Sequence, residues 1–244
     1  MKNKRLKNHY QILDVARGFA ILLMFIYHFS YDLDYFGFIE QNFTKDNFWI
    51  NFRDLIVTLF LGIMGISLYL ASYQGLHKKR FQKRLLLLIL YSILVSISSW
   101  AIFPKAMIFF GILHFIAFAS VLGLFFVQLG IINLFLGIAL IIIAQTISHP
   151  VFDHSYMQWF GLTTKLPVTV DYVPVLPWFG VVLIGIYLGQ WLSRQPNNSF
   201  FVSWKSQHPA MRLLALGGRH SLNIYLLHQP LFFAILYIIS QVTG

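Results

Sequence analysis

The chain has 244 residues, of which 58% are hydrophobic and 11% charged, with a formal net charge of +10 and a mean hydropathy of +0.69. That balance excludes a soluble enzyme, and it excludes nucleic acid as a partner, because the basic residues sit in short segments beside apolar blocks rather than on a basic face interleaved with aromatics. The absence of cysteine removes thiol catalysis, disulfides and cysteine zinc sites.

Apolar blocks of this length cross a hydrocarbon layer of about 30 Å as helices, since lipid offers no partner for an unpaired backbone group. Seven spans are predicted, over residues 12–33, 53–73, 84–102, 107–128, 131–148, 174–193 and 217–240. The predicted fold is therefore all-α, a polytopic membrane helical bundle of about seven transmembrane helices, in a single domain over 1–244 with no internal repeat.

The basic lead MKNKRLKNHY precedes a first span that Asp14 and Arg17 interrupt, and no small-x-small cleavage pattern follows. It reads as a permanent anchor rather than a signal peptide. The loop 34–52 leads to a second span with Asp54 at its start, and the run HKKRFQKR before the third suits anionic lipid or, alternatively, the phosphates of a nucleotide. His114 lies in the fourth span. The long segment 149–173 has the aromatics and prolines of a folded interfacial cap, and its His149, Asp153 and His154 match no strong metal signature, so no metal is expected. The last span carries Ser221, Tyr225 and His228 at i, i+4 and i+7, one polar face whose plain reading is interhelical hydrogen bonding.

Placing the N-terminus in the cytoplasm collects Lys2, Lys4, Arg5, Lys7, Arg17, Lys78, Lys79, Arg80, Lys83, Arg84, Arg194, Lys205, Arg212 and Arg219 on the inner side, leaving Lys45, Arg53, Lys105 and Lys165 outside. The positive-inside rule then gives N-in and, with an odd number of spans, C-out.

The stretch ILDVARGFAILLMFIYHFSYDLDYF holds four ionisable groups. Arg17 and His28 are eleven residues apart, about three turns and ~16 Å along a helix, and emerge on one face. Asp14 lies one turn before Arg17 and Asp32 one turn after His28, so the four form a polar stripe. Each charge costs about 2.5–3.5 kcal/mol to insert, which places such groups toward a bundle interior or a wet cavity. The alternative is that Asp14 and Arg17 snorkel at one interface while His28 and Asp32 end the span in headgroups. Read as a path, the stripe gives Arg17 the make-up to hold a phosphate or a nucleotide's anionic group, and His28, with Asp32 at i+4 to orient it, that of a general base.

LDVARGFAILLMFIYHF resembles the first span of the integral-membrane acyltransferase superfamily, with Arg17, Gly18 and His28 in its signature positions. More narrowly, it is similar to bacterial relatives of the heparan-α-glucosaminide N-acetyltransferase catalytic domain. RDLIVTLFLGIMGISLYL with Asp54, FFGILHFIAFA with Gly111 and His114, DYVPVLPWFGVVLIGIYLG, and GGRHSLNIYLLHQPLF with Ser221, Tyr225 and His228 resemble further segments of that family. The resemblance implies acyl transfer across the membrane, from cytoplasmic acyl-CoA, most simply acetyl-CoA, to a hydroxyl or amine of an extracytoplasmic sugar or glycolipid acceptor.

On that resemblance His28 serves the transfer, with Asp32, Asp54, His114, Tyr225 and His228 as further members of the catalytic set, and Arg17, Arg219 and His220 on the acyl-CoA side. Tyr225, Ser221 and His114 are candidates for holding an oxyanion; His114 reads equally as a satisfied buried histidine and His220 as an interfacial one. The implied setting is a bacterial cytoplasmic membrane, with the lipid bilayer as partner. Longer members carry a His in the loop before the second span, and YFGFIEQNFTKDNFWINFRD here has none. A seven-span core is small for two substrates; a homodimer is one answer to that and an inactive core another. The runner-up function is non-catalytic, a small-solute or proton-coupled transporter or a helical scaffold, the former disfavoured by the lack of paired Gly/Pro interruptions.

Overall fold

The computed structural model describes residues 10–196 and 199–243, and the basic segment before Tyr10 lies outside the described residues. The chain is all-helical, with α1 over Gln11–Tyr35, α2 over Asn47–Tyr73, α3 over Lys78–Ile102, α4 over Ile112–Leu122, α5 over Ile132–Thr146, α6 over Val175–Ser193, the short α7 over Phe200–Ser203, α8 over Pro209–Arg219 and α9 over Ser221–Thr243. Five helices, α1, α2, α3, α6 and α9, are long and apolar enough to cross a membrane, and Ile112–Phe125 and Ile132–Thr146 are shorter apolar helices. The protein is an integral membrane helical bundle.

The seven predicted spans all recur as helices, with three instructive differences. α2 starts six residues before its predicted limit because the Asp46 carboxylate accepts the Phe48 N–H at 2.8 Å, capping orphan donors at the helix start. The fourth span is helical only from Ile112, where extended Gly111 is the N-cap and its N–H is accepted by His114 Nδ1. The seventh is two helices: α8 closes at Arg219, with His220 as its C-cap, and α9 opens at Ser221.

The helices fall into two compact units. The first is built on Leu61–Pro196 and has α6 at its centre, where Val182, Leu183 and Ile186 are fully buried. Glycines set its close approaches. A side chain at Gly180 would strike the backbone of Gly137 on α5, and one at Gly185 would strike Gly62 on α2. With no hydrophobic force between helices in lipid, small residues that let backbones meet are what hold such a pair. The N-terminus of α4 is tied down by Asp171, whose carboxylate accepts the Ile112 N–H at 2.9 Å. The segment 149–173 is ordered by its own hydrogen bonds. Asp153 accepts from the Thr164 and Lys165 amides at 2.7 and 3.3 Å, and the Tyr172 hydroxyl donates to the Gln158 carbonyl at 2.6 Å.

The second unit is built on residues 10–60 and 199–243 and contains α1, the first half of α2, and α7 to α9. α1 and α8 touch backbone to backbone. A side chain at Gly18 would overlap the Leu214 carbonyl, and one at Gly218 would overlap the Asp14 carbonyl, so the two helices cross antiparallel with glycine at both points. Beyond the reversal at His220, contacts climb α1 and α9 together, from Phe25 with His228 through Phe29 with Phe232 to Phe36 with Phe233. The two helices therefore run parallel. Ile21, Met24 and Ile56 form the buried core beside them, with Phe25, Tyr27, Phe52, Ile224 and Tyr225 packed around it.

Candidate functional site

The parallel packing of α1 and α9 brings the polar stripe of one helix against the polar face of the other. The rings of His28 and His228 lie with centroids 5.0 Å apart, inclined at 63°. His228 also stacks on Phe25 at 5.7 Å and meets Tyr225 at 5.5 Å, and the second neighbour of His28 is Tyr27 at 5.5 Å. One turn further along α1, the Asp32 carboxylate accepts a hydrogen bond from the Gln229 side-chain amide at 2.6 Å. Asp32 was expected to orient His28 through i,i+4 spacing. No hydrogen bond joins the two; one carboxylate oxygen is bonded instead to a residue 197 positions away in sequence.

The hydrogen-bond inventory of this cluster is incomplete from the protein side. Asp32 is 1% and His228 5% exposed. Among the described residues, the second carboxylate oxygen of Asp32, the Nε2 of His228 and the Oε1 of Gln229 are buried and have no protein partner. A buried polar atom left without a partner costs about 1–3 kcal/mol. Native folds seldom tolerate several such atoms in one place unless something else fills them.

The other end of the stripe is paired. Arg17 Nη1 donates to Asp14 Oδ1 at 3.1 Å, with 21% of the Arg17 side chain exposed against 9% for Asp14. Arg219 follows Gly218, whose Cα packs on the Asp14 and Gly18 backbone, so Arg17 and Arg219 flank one helix crossing. The Arg219 Nε donates to the Ala215 carbonyl at 3.3 Å, and both Arg219 and His220 are exposed.

Two expected members stand apart. Asp54 pairs with its neighbour Arg53 at 3.0 Å, and the two side chains are 42% and 48% exposed. His114 belongs to the other unit and is fully engaged there. Ser96 spends its hydroxyl proton on the Ile108 carbonyl at 2.7 Å, so the contact from Ser96 to His114 Nε2 at 3.1 Å is donated by the ring. Its Nδ1 accepts the Gly111 N–H at 3.3 Å. His114 is thus a capping residue of α4, with neither nitrogen left for an oxyanion. The loop groups behave as an exposed loop: His149 Nδ1 accepts from the Val151 N–H at 3.2 Å, and the Thr164 hydroxyl holds the Asp153 carboxyl below the usual carboxylate range. Among the described residues no three His, Asp or Glu side chains gather as a metal-ligand set.

Sequence reasoning missed Gln229. The available signal was cost: an amide beside a histidine, inside an apolar span and directly before Pro230, is expensive in lipid unless something pairs with it.

His28, partly exposed, and the buried His228 thus face each other on two membrane helices, with Arg17 three turns away on one of them. The family described as "Heparan-alpha-glucosaminide N-acetyltransferase, catalytic" matches residues 9–230, and the chain belongs to it. No curated protein and no solved structure matches the chain.

Proposed function

We propose that this protein transfers an acyl group, acetyl in the simplest case, from cytoplasmic acyl-CoA to a hydroxyl or amine of an extracytoplasmic glycan or glycolipid. The observation that carries this reading is the His28–His228 pair, 5.0 Å apart on parallel α1 and α9, on the same helix face as Arg17. The family supplies the class of reaction. Acyl transfer needs a proton acceptor for the incoming hydroxyl or amine and a surrounding that excludes bulk water. The pair provides imidazoles, and Phe25, Phe232 and Tyr225 enclose it.

In this reading Arg17 meets the anionic part of acyl-CoA. Its guanidinium is a permanent cation with a fork of donors, and a fifth of the side chain reaches solvent while Asp14 fixes one nitrogen. The distribution of Lys and Arg supports a cytoplasmic position for that end, with the N-terminus in and the C-terminus out; the setting in this reading is a bacterial cytoplasmic membrane. His28 then stands about 16 Å further across, and the acyl group is handed over there.

The test is acetyl-CoA binding and CoA release by the purified full chain. Arg17→Ala is expected to weaken acetyl-CoA binding roughly tenfold or more, the value of a charge-assisted hydrogen bond. His28→Ala is expected to bind and no longer turn over. Wild-type protein that neither binds acetyl-CoA nor releases CoA overturns the reading.

A further inference from the structure

We propose that His228 is the group that takes the proton from the acyl acceptor's reacting hydroxyl or amine, and that neighbouring hydroxyl or amine groups of the acceptor are seated as hydrogen-bond donors on Asp32 and Gln229. The inference deepens the acyl-transfer reading above and rests on it for the donor. The sequence pointed to His28 as the base; the hydrogen bonds around the pair assign that work to its partner.

His228 Nδ1 lies 2.6 Å from the carbonyl oxygen of Tyr225, and a carbonyl can only accept. Nδ1 therefore carries the ring proton, and in the neutral imidazole Nε2 is left as a bare lone pair. That Nε2 is buried and has no protein partner. The ring cannot readily turn away, since Phe25, Tyr225, His28 and Phe232 surround it at 5.0–6.0 Å between centroids. A base whose tautomer and direction are fixed in advance is what general-base catalysis asks for. Among the described residues no carbonyl anchors His28 in this way, and its ring contacts are with Tyr27 and His228.

The same logic gives the ligand's chemistry. Gln229 turns its amide nitrogen to Asp32, because a carboxylate only accepts, so its Oε1 is an acceptor too. Three buried atoms of the cluster lack a partner, namely His228 Nε2, Asp32 Oδ2 and Gln229 Oε1, and all three are acceptors. The missing partner is therefore a donor. A phosphate, sulfate or carboxylate would add acceptors to acceptors; a hydroxyl-bearing or amine-bearing group supplies what is absent. Asp32 and Gln229 act as positioning residues, each neighbouring one histidine of the pair.

The step balances as follows. The acceptor's O–H or N–H bond breaks and its proton passes to His228 Nε2 while the oxygen or nitrogen bonds to the acyl carbon. The bond from that carbon to sulfur breaks, its electron pair leaves with the CoA thiolate, and the thiolate recovers the proton from the imidazolium.

The experiment uses the purified full chain with acetyl-CoA as donor and two acceptor probes, water and glucosamine. In His228→Asn the side-chain amide still reaches the Tyr225 carbonyl, and the Nε2 base is gone. The expected result is unchanged acetyl-CoA affinity with CoA release and acetyl-glucosamine formation down by roughly a hundredfold or more; release at the wild-type rate overturns the assignment. A second arm does not depend on turnover. In protein labelled with 15N-histidine, the resonance lost in His228→Asn is expected to be of the unprotonated, pyridine type at Nε2, and to move on adding glucosamine in wild type and not in Gln229→Ala. A protonated Nε2, or a glucosamine response that survives Gln229→Ala, overturns it. Wild type that shows the pyridine-type signal and the glucosamine response but never releases CoA supports the donor seat and sinks only the acyl-transfer reading.

Discussion

His114, in the first turn of α4, and His228, two turns into α9, are both histidines of apolar helices, and they differ in how their ring nitrogens are used. His114, in the unit built on Leu61–Pro196, has both ring nitrogens bonded, one to Ser96 and one to the Gly111 amide. His228, in the other unit, has one bonded to the Tyr225 carbonyl and one buried with nothing to meet it. A polar group whose bonds all close within the protein stabilises a helix end. A buried polar group left open costs about 1–3 kcal/mol, and on the proposal above its partner at His228 is the acyl acceptor. Asn133 shows the scale of ordinary exceptions: its amide nitrogen donates to the Phe126 carbonyl at 2.8 Å and its oxygen is the orphan. A single orphan on α5 is tolerable, whereas the α1–α9 cluster gathers three.

That contrast separates substitutions that unfold the protein from those that disarm it. The largest effect is expected at the α1–α8 crossing. Gly218→Val forces a branched side chain into the Asp14 carbonyl, and a loss of about 3 kcal/mol or more should appear as failure to elute as a single species in detergent. Next comes His28→Ala, which should lower CoA release by a factor of roughly 10²–10⁴ while thermal unfolding in detergent stays near that of wild type. A matching loss of stability there would make His28 a packing residue and dissolve the contrast. His114→Ala is expected to do the reverse, lowering stability by about 1–3 kcal/mol as the α4 cap and the Ser96 contact are lost, with turnover per folded molecule unchanged. The smallest effect belongs to Asp54→Asn. Its partner Arg53 is an exposed neighbour, such pairs are worth about 0–1 kcal/mol, and both stability and CoA release should stay close to wild type. A large loss of turnover would return Asp54 to the catalytic set.

Much of this was legible before any coordinates. Hydropathy located all seven apolar segments, and helical spacing put Asp14, Arg17, His28 and Asp32 on one face of α1, where Asp32 bonds to Gln229 and His28 meets His228 of α9. What spacing cannot report is which face meets which. The bond from Gln229 to Asp32 joins residues 197 apart, and nothing local to either one encodes it. The break at His220 was hidden because the predicted span 217–240 took in only the last residues of α8, and hydropathy averages over the polar residues at the break. The early start of α2 was missed for the opposite reason, a one-residue signal, the Asp46 cap, lying in a loop too polar to suggest helix. The state of each histidine was beyond reach altogether. A ring's tautomer follows from the atom it faces, and only the fold sets Tyr225 before one nitrogen of His228 and Ser96 before one nitrogen of His114.

The central claim is that His28 and His228 work as one unit in acyl transfer. Its most direct test is CoA release from acetyl-CoA by wild type, His28→Ala, His228→Asn and the double variant, measured on protein shown to be folded. Groups acting in a single step are strongly non-additive, so the account predicts that the double variant is no slower than the slower single one. Losses that multiply across the two positions, or single variants that release CoA as fast as wild type, would contradict it.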